Sequence, residues 1–252
     1  MINCELVLVP AFADNYVYLI VNGETCAVVD PGEAGPVRKA ISVRHLNVSD
    51  ILLTHHHSDH IGGCLELAQT FGSAVTGPAD PRIPGEFKAV GEGDTVAVGG
   101  IEFYVFAVPG HTSTHIAFYS AAEGCLLSGD SLFACGCGRL FEGSPAEMHA
   151  SLQKLAALPD DTEIYCGHEY TLNNAEFAVS VDPENEDLVE RLGVIRQLRA
   201  EGQPTIPSTI GEEKATNPFL RCEDAALQAA LGLSGADAVD VFAEIRSRKD
   251  AW

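Results

Sequence analysis

The segment Thr54-His55-His56-His57-Ser58-Asp59-His60, placed directly after the apolar run Ile51-Leu52-Leu53, dictates more of what this chain can become than any other stretch. If the apolar run is a strand that ends here, His55 and His57 project to the same side, because successive side chains alternate across a strand. Asp59 and His60 follow where the chain turns toward Gly62-Gly63 and a helix. These four groups can form two adjacent sets of metal ligands. Imidazole and carboxylate suit zinc, iron or manganese, and leaving out thiolate keeps the ions more Lewis acidic.

Three further groups repeat the design, each beside a glycine at the end of a strand-like run. His111 stands in Pro109-Gly110-His111-Thr112, Asp130 closes Leu126-Leu127-Ser128-Gly129-Asp130, and His168 closes Glu163-Ile-Tyr-Cys-Gly-His168. A single histidine of this kind is more often a satisfied structural residue. Seven such groups in one chain order make coincidence a poor explanation.

The order THxHxDH, GHT, SGD, GHE resembles the metallo-β-lactamase superfamily. More narrowly, Tyr165-Cys-Gly-His-Glu-Tyr-Thr171, the run Gly129 to Arg139 and the helical tail are similar to the glyoxalase II, or hydroxyacylglutathione hydrolase, family over essentially the whole chain. The resemblance implies an α+β fold: an αββα metallo-β-lactamase sandwich with a smaller C-terminal helical domain. It implies two divalent metal ions per chain, zinc ahead of iron or manganese. By motif, His55, His57 and His111 hold one ion, Asp59, His60 and His168 the other, and Asp130 bridges them. His56 and His115 match positions that are not ligands. His45 and His149 fall outside every motif and are read as surface or packing residues.

The same resemblance implies glutathione contacts from Arg139, Tyr170, Arg246 and Lys249. Phe141 stands where the family usually has tyrosine, so an aromatic wall remains without its hydroxyl. Ser58 replaces a bulkier residue. The implied reaction is hydrolysis of an S-(2-hydroxyacyl)glutathione thioester such as S-D-lactoylglutathione, giving glutathione and D-lactate in methylglyoxal degradation. A hydroxide shared by the two ions would be the nucleophile. Asp59 and Asp130 are then the catalytic carboxylates: Asp59 orients the hydroxide and takes its proton, and Asp130 joins the ions. Rival readings are another dinuclear hydrolase, a lactonase or β-lactamase, or a redox iron protein on the same scaffold. The first would not require Arg139, Arg246 and Lys249. An oxygen-reducing di-iron carrier typically has glutamate where this chain has His57.

Along the chain, β-rich runs at residues 6–9, 16–20, 26–29, 51–53 and 103–108 alternate with turn signals, among them Val21-Asn22-Gly23-Glu24. Helical patterns cover Cys64 to Phe71 and the stretch after Gly143. There Ser144, Pro145 and Glu147 spell an N-cap, a first-turn proline and a capping box, and Met148, Leu152, Leu155 and Ala156 form one apolar face. After Gly167-His168-Glu169-Tyr170 the texture becomes helical: 173–181, 186–200, 225–231 and 236–247, with residues 203–217 reading as extended. The expected division is therefore a metal-binding catalytic domain at 1–170 and a helical substrate-binding domain at 171–252.

Composition excludes several partners. The formal charge of -21 repels phosphate polymers and anionic membrane surfaces, so neither nucleic acid nor membrane is an expected partner. The start Met1-Ile-Asn-Cys-Glu5 lacks the basic opening of a signal peptide, and no apolar run reaches the ~18 residues of a membrane span. Eight cysteines show no C-x-x-C and no paired framework. Reduced, buried thiols in a cytoplasmic monomer that acts on a small glutathione thioester are expected.

Overall fold

The computed structural model describes residues 4–252; the opening residues 1–3, read above for a signal peptide, lie outside the described part. Contacts divide the chain into two compact units. One runs to Ala107 and resumes at Thr114–Gly129; the other comprises Val108–Ser113 and Asp130–Trp252.

The first unit begins with an antiparallel meander, β1 (Glu5–Ala11), β2 (Asn15–Asn22) and β3 (Thr25–Val29), whose second turn carries Gly23 at φ 62°. The strand β4 (Asn47–Leu52) then pairs parallel to β3 after the crossover helix α1 (Ala34–Arg44), which the sequence reading did not anticipate. Beyond it come α2 (Ser58–Ile61), α3 (Cys64–Phe71), and the strands β5 (Ala74–Pro78) and β6 (Lys88–Val90), completing a sheet in the order 1-2-3-4-5-6. Seven of the eight β2 residues are buried, so both faces of that strand are covered. One face, with Val17, Leu19 and Val28, packs with Val37 and Ile41 of α1 and Leu67 of α3. The other carries Ile20, whose methyl lies against Gly99 in the turn between β7 (Thr95–Val98) and β8 (Ile101–Ala107). Strands β9 (Ile116–Ser120) and β10 (Cys125–Gly129) extend that second sheet antiparallel. Helices over one face of a sheet and a second sheet over the other make the layered α+β architecture read from the motifs.

The second unit opens with a short hairpin, β11 (Leu132–Phe133) and β12 (Gly136–Cys137). The helix α4 (Pro145–Ala156) starts with the expected capping box: the Glu147 amide donates to Ser144 Oγ at 3.3 Å, and Ser144 N donates back to the Glu147 carboxylate at 2.8 Å. Met148, Leu152 and Leu155 are fully buried. After β13 (Glu163–Cys166) come α5 (Thr171–Val181) and α6 (Glu186–Ala200), packed through Ala175, Ala178, Leu188, Leu192 and Ile195. The strand β14 (Ser208–Thr209) pairs with β13, and the tail ends in α7 (Ile210–Thr216), α8 (Ala225–Leu231) and α9 (Ala238–Ala251).

The extended reading of 203–217 is corrected by α7. Its two prolines, Pro204 and Pro207, both precede the helix, and Thr209 caps it by accepting from Glu212 N. A buried network then fixes it. Glu213 accepts from Arg191 at 2.6 Å, from the Cys135 amide at 2.8 Å and from Asn217 at 2.9 Å. No helix among the described residues is long and apolar enough to cross a membrane.

Candidate metal centre

In the first unit the histidine loop is organised by a residue that the sequence reading passed over. Asp30 follows β3 with φ 49°, a strained setting for a residue with a Cβ, and is buried. Its Oδ1 accepts from Thr54 N at 2.7 Å, and its Oδ2 accepts from Thr54 Oγ1 at 2.6 Å and from His60 Nδ1 at 3.0 Å. A carboxylate only accepts, so the His60 proton sits on Nδ1 and its Nε2 carries the lone pair. The Thr54 hydroxyl has spent its proton on Asp30 and therefore accepts from His55 Nδ1 at 3.0 Å, which likewise turns the Nε2 lone pair of His55 outward. That Nε2 lies 3.1 Å from His57 Nδ1, and His60 Nε2 lies 3.6 Å from Asp59 Oδ2. Asn15 steadies Asp59, donating to its Oδ2 at 3.0 Å.

The strand ends at Leu52, so His55 to His57 occupy an irregular loop and not a pleated strand end. The clean alternation of a strand is lost with it: the His57 ring lies 4.7 Å from that of His55 and 4.8 Å from that of His56, while His55 and His56 stand 6.5 Å apart. His56 faces Asp80 at 3.4 Å, while His115 stacks on the ring of His55 with centroids 4.6 Å apart. Asp30, His55 and His60 place ligand atoms within 4.8 Å of one another, yet both Asp30 oxygens are already accepting, which makes Asp30 an orienting carboxylate. The signal for it was available: Asp30-Pro31-Gly32 is another carboxylate beside glycine at a strand end. Gly129, at φ 51°, closes the cradle; a Cβ there would stand 2.4 Å from Thr54 Oγ1.

The second unit carries a complementary set. His111 Nδ1 lies 2.8 Å from the Arg139 carbonyl, an acceptor, so its proton is on Nδ1 and the Nε2 lone pair faces Asp130 Oδ2 at 3.5 Å. His168 Nε2 approaches the same oxygen at 3.3 Å. All three side chains are buried. A lone pair aimed at a carboxylate oxygen is repulsive unless positive charge lies between them, and imidazole with carboxylate is a donor set suited to a divalent ion. The residues present therefore fit a metal. Phe141 packs edge-on to His111 with centroids 5.3 Å apart, and Tyr170 stacks flat on His168 at 4.5 Å.

The expected substrate cations belong to the second unit as well. Arg139 is half exposed. Arg246 is buried, donates from Nη1 to the Cys137 carbonyl at 3.0 Å and lies over the Phe219 ring. Lys249 donates to Asn173 Oδ1 at 2.5 Å, and burial, assisted by the charge of Arg246, pulls its pKa down to about 8. Arg248 is tied to Glu244 at 2.8 Å. His149 packs its ring against Phe242, the packing role expected of it. The eight cysteines are free, and burial pushes the Cys135 thiol up to about 12 and that of Cys137 to about 11.

Residues 12–168 match the family model of the metallo-β-lactamase superfamily, and residues 169–252 match that of the hydroxyacylglutathione hydrolase C-terminus. The hydroxyacylglutathione hydrolase of Cereibacter sphaeroides is 52% identical over 98% of both chains, and that of Pseudomonas putida KT2440 is 49% identical over 98% of this chain and 99% of its own. At the level of fold, the crystal structure of ETHE1 from Myxococcus xanthus superposes with a TM-score of 0.65 at 24% identity, covering 99% of each chain. The layered fold and the histidine and carboxylate clusters are those of a metal-binding hydrolase scaffold. Within that superfamily the chain belongs to the hydroxyacylglutathione hydrolase family.

Proposed function

We propose that this chain is a metal-dependent thioester hydrolase that converts S-(2-hydroxyacyl)glutathione, S-D-lactoylglutathione in particular, to glutathione and a 2-hydroxy acid. One observation carries the reading: Asp130 Oδ2 faces both His111 Nε2 and His168 Nε2 in a chain 52% identical, nearly end to end, to a hydroxyacylglutathione hydrolase. The two half-sets would hold two divalent ions, His55, His57 and His111 ligating one, Asp59, His60 and His168 the other, and Asp130 both. The donor chemistry favours zinc, with iron and manganese as acceptable replacements. When bound, such ions polarise a carbonyl and lower the pKa of water toward about 7.

The protein groups do the rest. Asp59, held by Asn15, orients the attacking water and takes its proton. Asp30 and Thr54 fix the tautomers of His60 and His55, so that no reorganisation accompanies the reaction. The leaving thiol has an ordinary pKa of about 8.5 and departs as thiolate without a strong general acid. Phe141 and Tyr170 wall the thioester, and Arg139, Arg246 and Lys249 concentrate positive charge for glutathione's carboxylates in a protein of net charge -21. In this reading residues 1–170 form the catalytic domain and 171–252 the substrate-binding domain, a division that the two family-model ranges support. The same charge argues against nucleic acid and anionic membranes as partners, and eight free thiols suit a cytoplasmic protein. A lactonase, a β-lactamase or a redox iron protein would have no use for the three cations, and the family relationship does not favour them.

The test combines turnover of S-D-lactoylglutathione with metal analysis. Asp130→Ala should lose dinuclear occupancy and more than about 100-fold in kcat/KM, beyond what an outer-shell change costs. Two metals retained with near-normal turnover would refute the assignment.

A further inference from the structure

The cations proposed to hold glutathione are joined by an acidic residue with no assigned part. Asp250, one residue beyond Lys249 on α9, accepts on a single oxygen, Oδ1, from Arg139 Nε at 3.2 Å and Arg246 Nε at 3.1 Å, and the same oxygen forms an ion pair with Arg246 Nη2 at 2.9 Å. The two arginines differ in exposure. The Arg246 side chain is 8% exposed and is further held by the Cys137 carbonyl, whereas that of Arg139 is 54% exposed. The bond from Arg139 to Asp250 runs through Nε. Its Nη1 and Nη2 groups, the fork that matches a carboxylate in two parallel bonds, lie beyond that contact. Three cations less one carboxylate leave this cluster a net charge of +2, equal and opposite to the two carboxylates of glutathione.

We infer that Asp250 is the positioning residue of the glutathione subsite, locking Arg139 onto the buried Arg246 so that the Arg139 fork is set before substrate arrives; this rests on the glutathione reading above. The physical reason is preorganisation. A half-exposed arginine left to itself samples many rotamers and must surrender them on binding, whereas one fixed through Nε has already done so. The opposing role also follows from the geometry. If Asp250 merely competes with substrate for Arg139, removing it raises the local charge and tightens binding. The two roles predict opposite signs.

The measurement is steady-state hydrolysis of S-D-lactoylglutathione by the metal-loaded protein and its Asp250→Ala and Asp250→Asn variants. The S-lactoyl thioester of N-acetylcysteamine, which lacks carboxylates, is assayed in parallel. Positioning predicts that Asp250→Ala raises KM for the glutathione thioester roughly 3- to 10-fold, the range spanned by ordering one long side chain. Asp250→Asn, which keeps an oxygen acceptor for Nε, should show a smaller rise, and kcat should move little in either. Metal content and kcat/KM for the carboxylate-free thioester should match the unmodified protein. An unchanged or lowered KM overturns the inference, and so does an equal loss on both thioesters, which marks a general folding defect. If Asp250→Ala does not fold, Asp250→Asn decides by the same signs. Should the unmodified protein show no preference for the glutathione thioester, the functional reading falls and this inference with it. A clear preference that both variants retain removes this inference alone.

Discussion

Asp30, a carboxylate whose oxygens accept from Thr54 and His60, determines which nitrogen His60 offers. Asp30→Asn keeps the shape but can turn an N–H toward His60 Nδ1, so one tautomeric lock is lost. Metal affinity at the site containing His60 should fall about 10- to 100-fold, read by competition with a chelator, while the fold persists. Lys249 gives a pH dependence. Burial, with Arg246 second, holds its pKa near 8, so the ammonium is present below that value and fades above it. KM for the glutathione thioester should therefore rise between pH 7 and 9. The linked effect on stability has the opposite sign: the unfolded chain keeps this proton up to about 10.5 and the folded one does not, so this group makes unfolding harder as pH climbs from 8 to 10.5. Kinetics and melting curves across that range check both signs. At this scale the sequence was informative wherever a residue stood in a motif, as for His111, Asp130 and His168. It was silent on Asn15 and on the bond from Arg139 to Asp250, because a lone acid or amide acquires such a role only when folding brings a distant partner to it, whereas Asp30 left a trace in Asp30-Pro31-Gly32 that no motif weighed.

Elements were legible where local chemistry sufficed. The capping box at Ser144 and Glu147, the turn at Gly23 and the phase of Leu188, Leu192 and Ile195 all reappear in the structure, because each is settled within one or two turns of chain. The helix α7 was misread since Pro204 and Pro207 dominate its neighbourhood, while its stabilising contacts come from residues as remote as Cys135. That remoteness is testable. Glu213→Ala leaves Arg191, 8% exposed, without its closest anionic partner at 2.6 Å, and removal of one member of such a buried pair costs about 3–5 kcal/mol. Denaturant unfolding should register that loss. Because Glu213 also accepts from the Cys135 amide, beside the turn of the β11–β12 hairpin, a loss confined to the exposed-charge range of about 1 kcal/mol would show that this anchoring is weak.

For the molecule as a whole, a net charge of -21 is a standing repulsion that the fold has to overcome. Raising NaCl from ~10 mM to ~200 mM shortens the Debye length from about 30 Å to under 10 Å. The melting temperature should increase over that interval, even as screening weakens capture of an anionic substrate; a falling melting temperature would mean that specific ion pairs outweigh the global repulsion. The burial of the thiols has a bearing on chemical durability. With Cys26, Cys64 and Cys137 near pKa 11, and Cys135, Cys166 and Cys222 near 12, at most one copy in roughly 10⁴ carries a given thiolate at pH 7. Soft carbonyl electrophiles and alkylating agents attack thiolates, and at these six sites they find almost none to attack. A protein built this way can work among reactive aldehydes and keep those six thiols intact.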